Sequence, residues 1–171
     1  MSILLIFASP QPHGALAKLC AHFTAGAQAS GQTVEHFDVG SQPIPPLQTD
    51  ATGALMAPPA RLTALQAKIA AAQTVVLATP VYLFEMDAQL KAVIDQLAAR
   101  TPQLPDQKTG ILLATSPERE FTYLKSEIKA CFDHFGWRFG GQMLAAQVPD
   151  TPSADLRFYP AVATALGQSC H

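Results

Sequence analysis

The residues best able to do chemistry fall in three short segments, each following an apolar run. The first is Ser9-Pro10-Gln11-Pro12-His13-Gly14-Ala15-Leu16, between an apolar run and a helical pattern. A helix start offers unpaired backbone amides and about half a positive charge, which suits a phosphate. Gly14 lets backbone approach a ligand closely, and His13 can donate a hydrogen bond. On the residues alone, a turn shaped by two prolines with a solvated His13 explains the segment equally well. The second is Thr79-Pro80-Val81-Tyr82-Leu83-Phe84-Glu85-Met86. It is apolar and aromatic where polar turn residues are usual. It could wall a flat apolar ligand, meet a second copy of the chain, or fold under as core. The third is Ser116-Pro117-Glu118-Arg119. It reads as a helix start, with a capping hydroxyl, Pro at the first position and an acid near the positive dipole end.

Other reactive residues carry less. His22 and His134 fall in helical patterns, His36 in a strand pattern, and His171 is terminal; no two histidines have metal-ligand spacing, so no metal is expected. Cys20, Cys131 and Cys170 are odd in number and lack C-x-x-C spacing. They read as buried free thiols of a reducing cytosol, not as a disulfide framework. No Gly-x-Ser-x-Gly elbow follows a strand, which disfavours a hydrolase triad. Glu85 reads as a solvated acid and Trp137 as core.

Positioning these segments takes alternating strands and helices. Residues 3–8 are continuously apolar, as a strand buried on both faces should be. The runs at 74–79 and 109–115 match that pattern, and 137–148 reads as a further strand. Residues 33–39 mix Val34, Phe37 and Val39 with Glu35, His36 and Asp38, which suits an exposed edge. Helical spacing marks 14–30, the neighbourhood of Leu62, Leu65 and Ile69, 87–100, and 116–135 with Leu124, Ile128, Cys131, Phe132 and Phe135 as its stripe. Residues 152–166 read as a last helix, and 40–59 as an excursion over the surface. Five strands alternating with five helices give an α/β fold with a parallel sheet covered on both faces. The favoured order is 2-1-3-4-5, whose switch point lies between strands one and three. The three chemical segments then sit at the carboxyl ends of strands one, three and four.

The 171 residues suit a single domain spanning 1–171. They are 49% hydrophobic and 14% charged, with 11 basic and 13 acidic residues and a net charge of −2. That balance excludes an electrostatic nucleic-acid binder and a polybasic membrane protein, and speaks against a strongly acidic electron carrier. The N-terminal apolar run lacks a basic leader and is too short to cross a membrane, so a cytoplasmic protein is expected.

Residues 79–95, Thr-Pro-Val-Tyr-Leu-Phe-Glu-Met-Asp-Ala-Gln-Leu-Lys-Ala-Val-Ile-Asp, resemble the second flavin loop and following helix of the NAD(P)H-dependent FMN reductases. These are flavodoxin-like flavoproteins that include quinone reductases. Their usual string runs Ser/Thr-Pro-Val-Tyr, variable residues, Met, then Ala-Gln-Leu/Met-Lys and Ile-Asp. Residues 8–19 resemble the family's phosphate loop, and Asp38 with Ile44-Pro45-Pro46-Leu47 resembles its stretch after strand two. The likeness covers about residues 3–148 in element order.

The resemblance implies a flavodoxin-like three-layer sandwich and FMN as cofactor with NAD(P)H as co-substrate. It implies hydride passing through FMN to a quinone, a nitro or azo compound or free flavin, in a homodimer. Ser9 matches the phosphate-contacting serine, and Gly14 the loop glycine. Pro80, Val81, Tyr82 and Leu83 match the segment along the isoalloxazine ring, with Phe84 helping to shape the ring pocket. Gln11 stands where Arg is usual, and Ala15 and Leu16 where Asn and Thr normally bind phosphate. Two lost hydrogen bonds to a charged group, ~1.5–3 kcal/mol each, would weaken FMN roughly 10²–10⁴-fold. Compensation by His13, Gln11 and backbone amides leaves FMN held loosely. In the third segment the family usually has Thr-Gly-Gly. Here Pro117 removes a donor and Glu118 adds negative charge, while Ser116 can donate its hydroxyl and Arg119 can offset the charge. No side chain is expected to act as acid or base. A flavodoxin-like carrier and a non-catalytic relative with weakened flavin binding remain as alternatives.

Overall fold

The structure, a computed structural model, describes residues 1–100 and 105–170, so the terminal His171 lies outside the described residues. The continuously apolar runs form the centre of a sheet. They are β1 (Ser2–Phe7), β3 (Thr74–Tyr82) and β5 (Thr109–Ser116). β2 (Thr33–Asp38) and β6 (Arg138–Ala146) flank them with far more exposed faces. The order is β2-β1-β3-β5-β6, every neighbouring pair in it parallel. This is the expected flavodoxin-like order, with the chain reversing its direction of growth between β1 and β3. A two-residue strand, β4 (Glu85–Met86), pairs antiparallel with the end of β3 and was not expected.

Alternate strand residues feed two cores. Leu4, Ile6, Val75, Leu77, Leu112 and Ala114 pack under α2 (Ala60–Ala71), α3 (Ala88–Ala98) and α4 (Thr122–His134). Ile3, Leu5, Val76, Ala78, Ile111 and Leu113 pack under α1 (Ala15–Ala29) and α5 (Tyr159–Gln168). Each fully buried side chain of this size contributes ~1.5–3 kcal/mol. The α1–α5 contact is backbone-close: a Cβ at Gly26 would lie 2.1 Å from the Thr164 carbonyl oxygen, and one at Gly167 2.1 Å from that of Phe23. Glycine at both positions is therefore what lets α5 seal the second core. The excursion at 40–59 is tied over α3, with Gln96 donating to the carbonyls of Pro45 and Pro46 and Arg100 to that of Met56.

Two helix starts fall later than the sequence reading placed them. α4 begins at Thr122, not at Ser116. Ser116 ends β5, and its hydroxyl accepts the Glu118 amide at 3.1 Å. The carbonyls of Ser116 and Glu118 are taken by the amides of Val148 and Gln147, so they cannot seed a helix. α5 begins at Tyr159, not at Pro152, because Asp155 caps the Arg157 amide and Arg157 itself has φ 52°. Both corrections matter for the site, since they leave irregular backbone at the sheet's carboxyl edge.

Candidate active site

The carboxyl ends of β1, β3 and β5 meet at the switch point. β3 runs past the sheet instead of turning after Thr79. The Thr79 hydroxyl donates to the Pro80 carbonyl and accepts the Asp87 amide, which fixes both ends of the excursion. Val81 then pairs with Met86 and Tyr82 with Glu85 across a two-residue turn, Leu83-Phe84. Both turn residues are left-handed, with φ 48° and 74°. Hairpin turns of this sense favour Asn-Gly, because a Cβ there costs ~1–2 kcal/mol per residue. Leu83 recovers little by packing, being 88% exposed. Phe84 is half exposed and meets Tyr123 edge-on at 6.4 Å. Of the three readings of this segment, core therefore holds for its two ends, Thr79–Val81 and Met86, which are buried, and not for Tyr82–Glu85. Strained backbone of this kind clusters at functional sites, and here it raises an exposed apolar wall.

That wall faces the third segment. A cleft of about 430 Å³ is lined by Val81, Leu83, Phe84, Ser116, Pro117, Glu118 and Glu120. Ser116 is buried at its base, whereas Arg119 is exposed and is not among the lining residues. The volume and the apolar wall suit a flat heterocycle. A second hollow behind the hairpin places Glu85, Lys91 and Glu127 together with Met86 and Tyr123. Burial there pushes the Glu127 carboxyl up to about 7, with further upward push from a hydrogen bond and charge at Glu85 and opposition from Lys91.

The first segment is built as an anion cradle. Ser9 is buried, and its hydroxyl accepts the Gln11 amide at 2.9 Å. Gly14 caps α1 and presents the Leu16 amide at the helix start. Ala15 and Leu16 are buried side chains that contribute only backbone here, and Gln11 and His13 lie exposed at the rim. The anion in the cradle is a residue the sequence reading missed. Asp150, beyond β6, accepts the Ser9 hydroxyl at 2.5 Å and the Leu16 amide at 2.9 Å. A Cβ on Gly14 would lie 2.2 Å from Asp150 Oδ1, so glycine is required by this carboxylate. No motif flags a lone Asp between Pro149 and Pro152; the only sequence sign was the lack of phosphate-binding side chains at 15 and 16.

The neighbourhood is negative. Burial raises the Asp87 carboxyl above its usual range, the Gln89 amide opposes this, and the Asp150 charge adds to it. Burial raises the Tyr82 phenol, with the charges of Asp150 and Asp87 adding. Cys20 is pushed up by burial and then by Asp150. The residues present thus fit the rings of a flavin but, as arranged, not its phosphate: both cradle donors already hold an anion. Among the described residues no three His, Cys, Asp or Glu side chains form a metal-holding group, and no helix is long and apolar enough to cross a membrane.

Comparison with known proteins agrees with this geometry. An FMN-dependent NADH:quinone oxidoreductase of Bordetella avium (strain 197N) is 33% identical over 114 residues, covering 60% of this chain and 49% of the relative. The chain thus spans about half the length of the curated relative it matches. Among solved structures, a flavone reductase superposes with TM-score 0.78 at 15% identity, over 98% of this chain and 61% of that one. An FMN-dependent NADH-azoreductase from Bacillus anthracis, in complex with FMN, superposes with TM-score 0.69 at 14% identity, over 98% and 96%. These likenesses establish the fold. The family model for NADPH-dependent FMN reductase matches residues 1–146, and with the switch-point site in place the chain belongs to that oxidoreductase family.

Proposed function

We propose that this protein is a flavin-dependent NAD(P)H oxidoreductase that reduces a small molecule: a quinone, a nitro or azo compound, or free flavin. The observation that carries the reading is the strained, exposed Leu83-Phe84 turn facing a cleft between the carboxyl ends of β3 and β5, beside the switch point. It stands in a chain of the FMN reductase family. A bound flavin supplies the acceptance and donation of hydride, which no side chain can do. The protein's part is position and exclusion. Tyr82, Leu83 and Phe84 wall one side, Pro80 and Val81 carry that wall, and Ser116 with Pro117 and Glu118 closes the other. Ser9, Gly14 and the Leu16 amide form the far end, with Gln11 and His13 at its rim. Arg119 is exposed and outside the cleft lining, so its part in the reading is only to lessen the net negative charge beside Glu118.

Quinones and azo compounds head the acceptor list because a quinone oxidoreductase and an azoreductase are among the similar proteins. The exposed Leu83, Phe84 and Tyr123 suit burial against a second copy, so we read a homodimer whose contact completes the cleft. The reading takes residues 1–171 as one domain, and three unpaired thiols accord with a cytoplasmic protein. Addition of the protein to free flavin tests the site. Quenched flavin fluorescence that weakens in Phe84→Ala supports it, and unchanged fluorescence with both proteins rejects it. A non-catalytic relative is the second reading, favoured by the carboxylate already filling the cradle. It predicts flavin binding without NADPH oxidation.

A further inference from the structure

We propose that Asp150 is a built-in anion that holds the cradle against phosphate, so that a flavin without phosphate is accepted at least as readily as FMN. The proposal rests on the flavin reading above for its ligand, but not for its geometry. Both donors of the cradle, the Ser9 hydroxyl and the Leu16 amide, are spent on the two oxygens of one carboxylate. A phosphate arriving there must displace that carboxylate to reach these two donors.

The carboxylate is not a loose side chain swinging through solvent. Upstream, the Val148 amide donates to the Ser116 carbonyl at 2.7 Å and pins the end of β6 to the third segment. Downstream, Lys18 Nζ donates to the Pro152 carbonyl at 2.5 Å and pins the chain to α1. Asp150 lies between these anchors, directly over Gly14. Lys18 thereby directs its ammonium to a carbonyl. Gln11 stands at the rim with no charge to offer. The described ion pairs, Lys68–Glu35, Lys91–Asp95 and Lys129–Asp133, lie elsewhere. Asp87 and Asp150 together make the surroundings unfavourable to a dianion. A ribityl chain ending in a hydroxyl meets no such penalty, since the hydroxyl can donate to Asp150 where a phosphate oxygen cannot.

Fluorescence titration of riboflavin and FMN against the wild type, Asp150→Asn and Asp150→Ala tests this. The wild type is expected to bind riboflavin as tightly as FMN or tighter. Removing the carboxylate is expected to shift the FMN-to-riboflavin affinity ratio toward FMN by roughly tenfold or more, the equivalent of one recovered hydrogen bond to a charged group. A wild type that prefers FMN tenfold or more, or a ratio unchanged in both variants, overturns the proposal; the first result needs no variant to fold. Inorganic phosphate titrated calorimetrically into Asp150→Ala separates this from the flavin reading. Binding by the variant and not by the wild type supports Asp150 as the resident anion even where neither flavin binds. Failure of phosphate and both flavins alike overturns both ideas.

Discussion

Replacing Leu83 by Asn is expected to stabilise the fold by about 1 kcal/mol while impairing the site. Leu83 sits at φ 48° in a two-residue hairpin turn and is 88% exposed. Its left-handed backbone costs ~1–2 kcal/mol as Leu, and Asn relieves much of this because its short polar side chain bonds locally. The apolar burial lost is small, about 0.3 kcal/mol for a side chain so exposed. Phe84→Gly supplies the contrast. Relief of ~1–2 kcal/mol there is offset by ~0.5–1 kcal/mol of glycine entropy. The edge contact with Tyr123 is lost as well, ~0.5–1.5 kcal/mol. About half of the Phe side chain is buried, and losing that burial costs about 1 kcal/mol more, so Phe84→Gly should destabilise the fold by about 1 kcal/mol. Urea unfolding of the flavin-free protein reads both, and a gain of 1 kcal/mol raises the Tm of a chain this size by about 2–4 °C. A Leu83→Asn protein no more stable than the wild type refutes the strain, and unchanged flavin affinity in that variant refutes the functional use of the turn.

Other perturbations probe the charges around the site. Glu127 is pushed from 4.5 up to about 7, so the fold favours its protonated form; that stabilisation is full below 4.5 and is lost as pH rises through about 7. Glu127→Gln should therefore unfold at higher urea than the wild type near about pH 8, by no more than about 1 kcal/mol at this partly exposed position, and match it at about pH 4. The raised Asp87 carboxyl has the same sign, losing stability as pH climbs past the carboxylate range. Asp87→Asn keeps an N-cap acceptor for Gln89 and should flatten that slope in a urea series across pH. Gly14→Ala must expel the Asp150 carboxylate, breaking two bonds to a charged group. Loss of ~3–6 kcal/mol in urea unfolding is expected, and a silent substitution would contradict the cradle geometry.

The central strands were legible because burial on both faces leaves a continuous apolar run, as at Ile3–Ile6 and Ile111–Ala114. The polar mixture of β2 marked it as an edge, and edge placement with right-handed crossovers left little freedom in strand order. What escaped was decided by partners distant in the chain. Ser116-Pro117-Glu118 carries every local mark of a helix start, yet Gln147 and Val148 claim its carbonyls. β3 runs on past Thr79 because Met86 and Glu85 return to pair with Val81 and Tyr82, a hairpin that Leu-Phe does not advertise. Asp150 meets Ser9 across 141 residues, and no spacing rule spans that interval. The exposed apolar segment after Val81 was thus readable from composition, whereas the carboxylate lodged at the start of α1 was not.

On the proposed function, a flavin seated between the Tyr82–Phe84 turn and the Ser116–Glu118 segment takes hydride from a nicotinamide. Anaerobic addition of NADPH or NADH to the flavin-loaded protein tests it most directly, read as the flavin absorption band. The band is expected to bleach and to return when a quinone is added. A band that survives excess of both nucleotides, on protein shown to hold flavin, would contradict it.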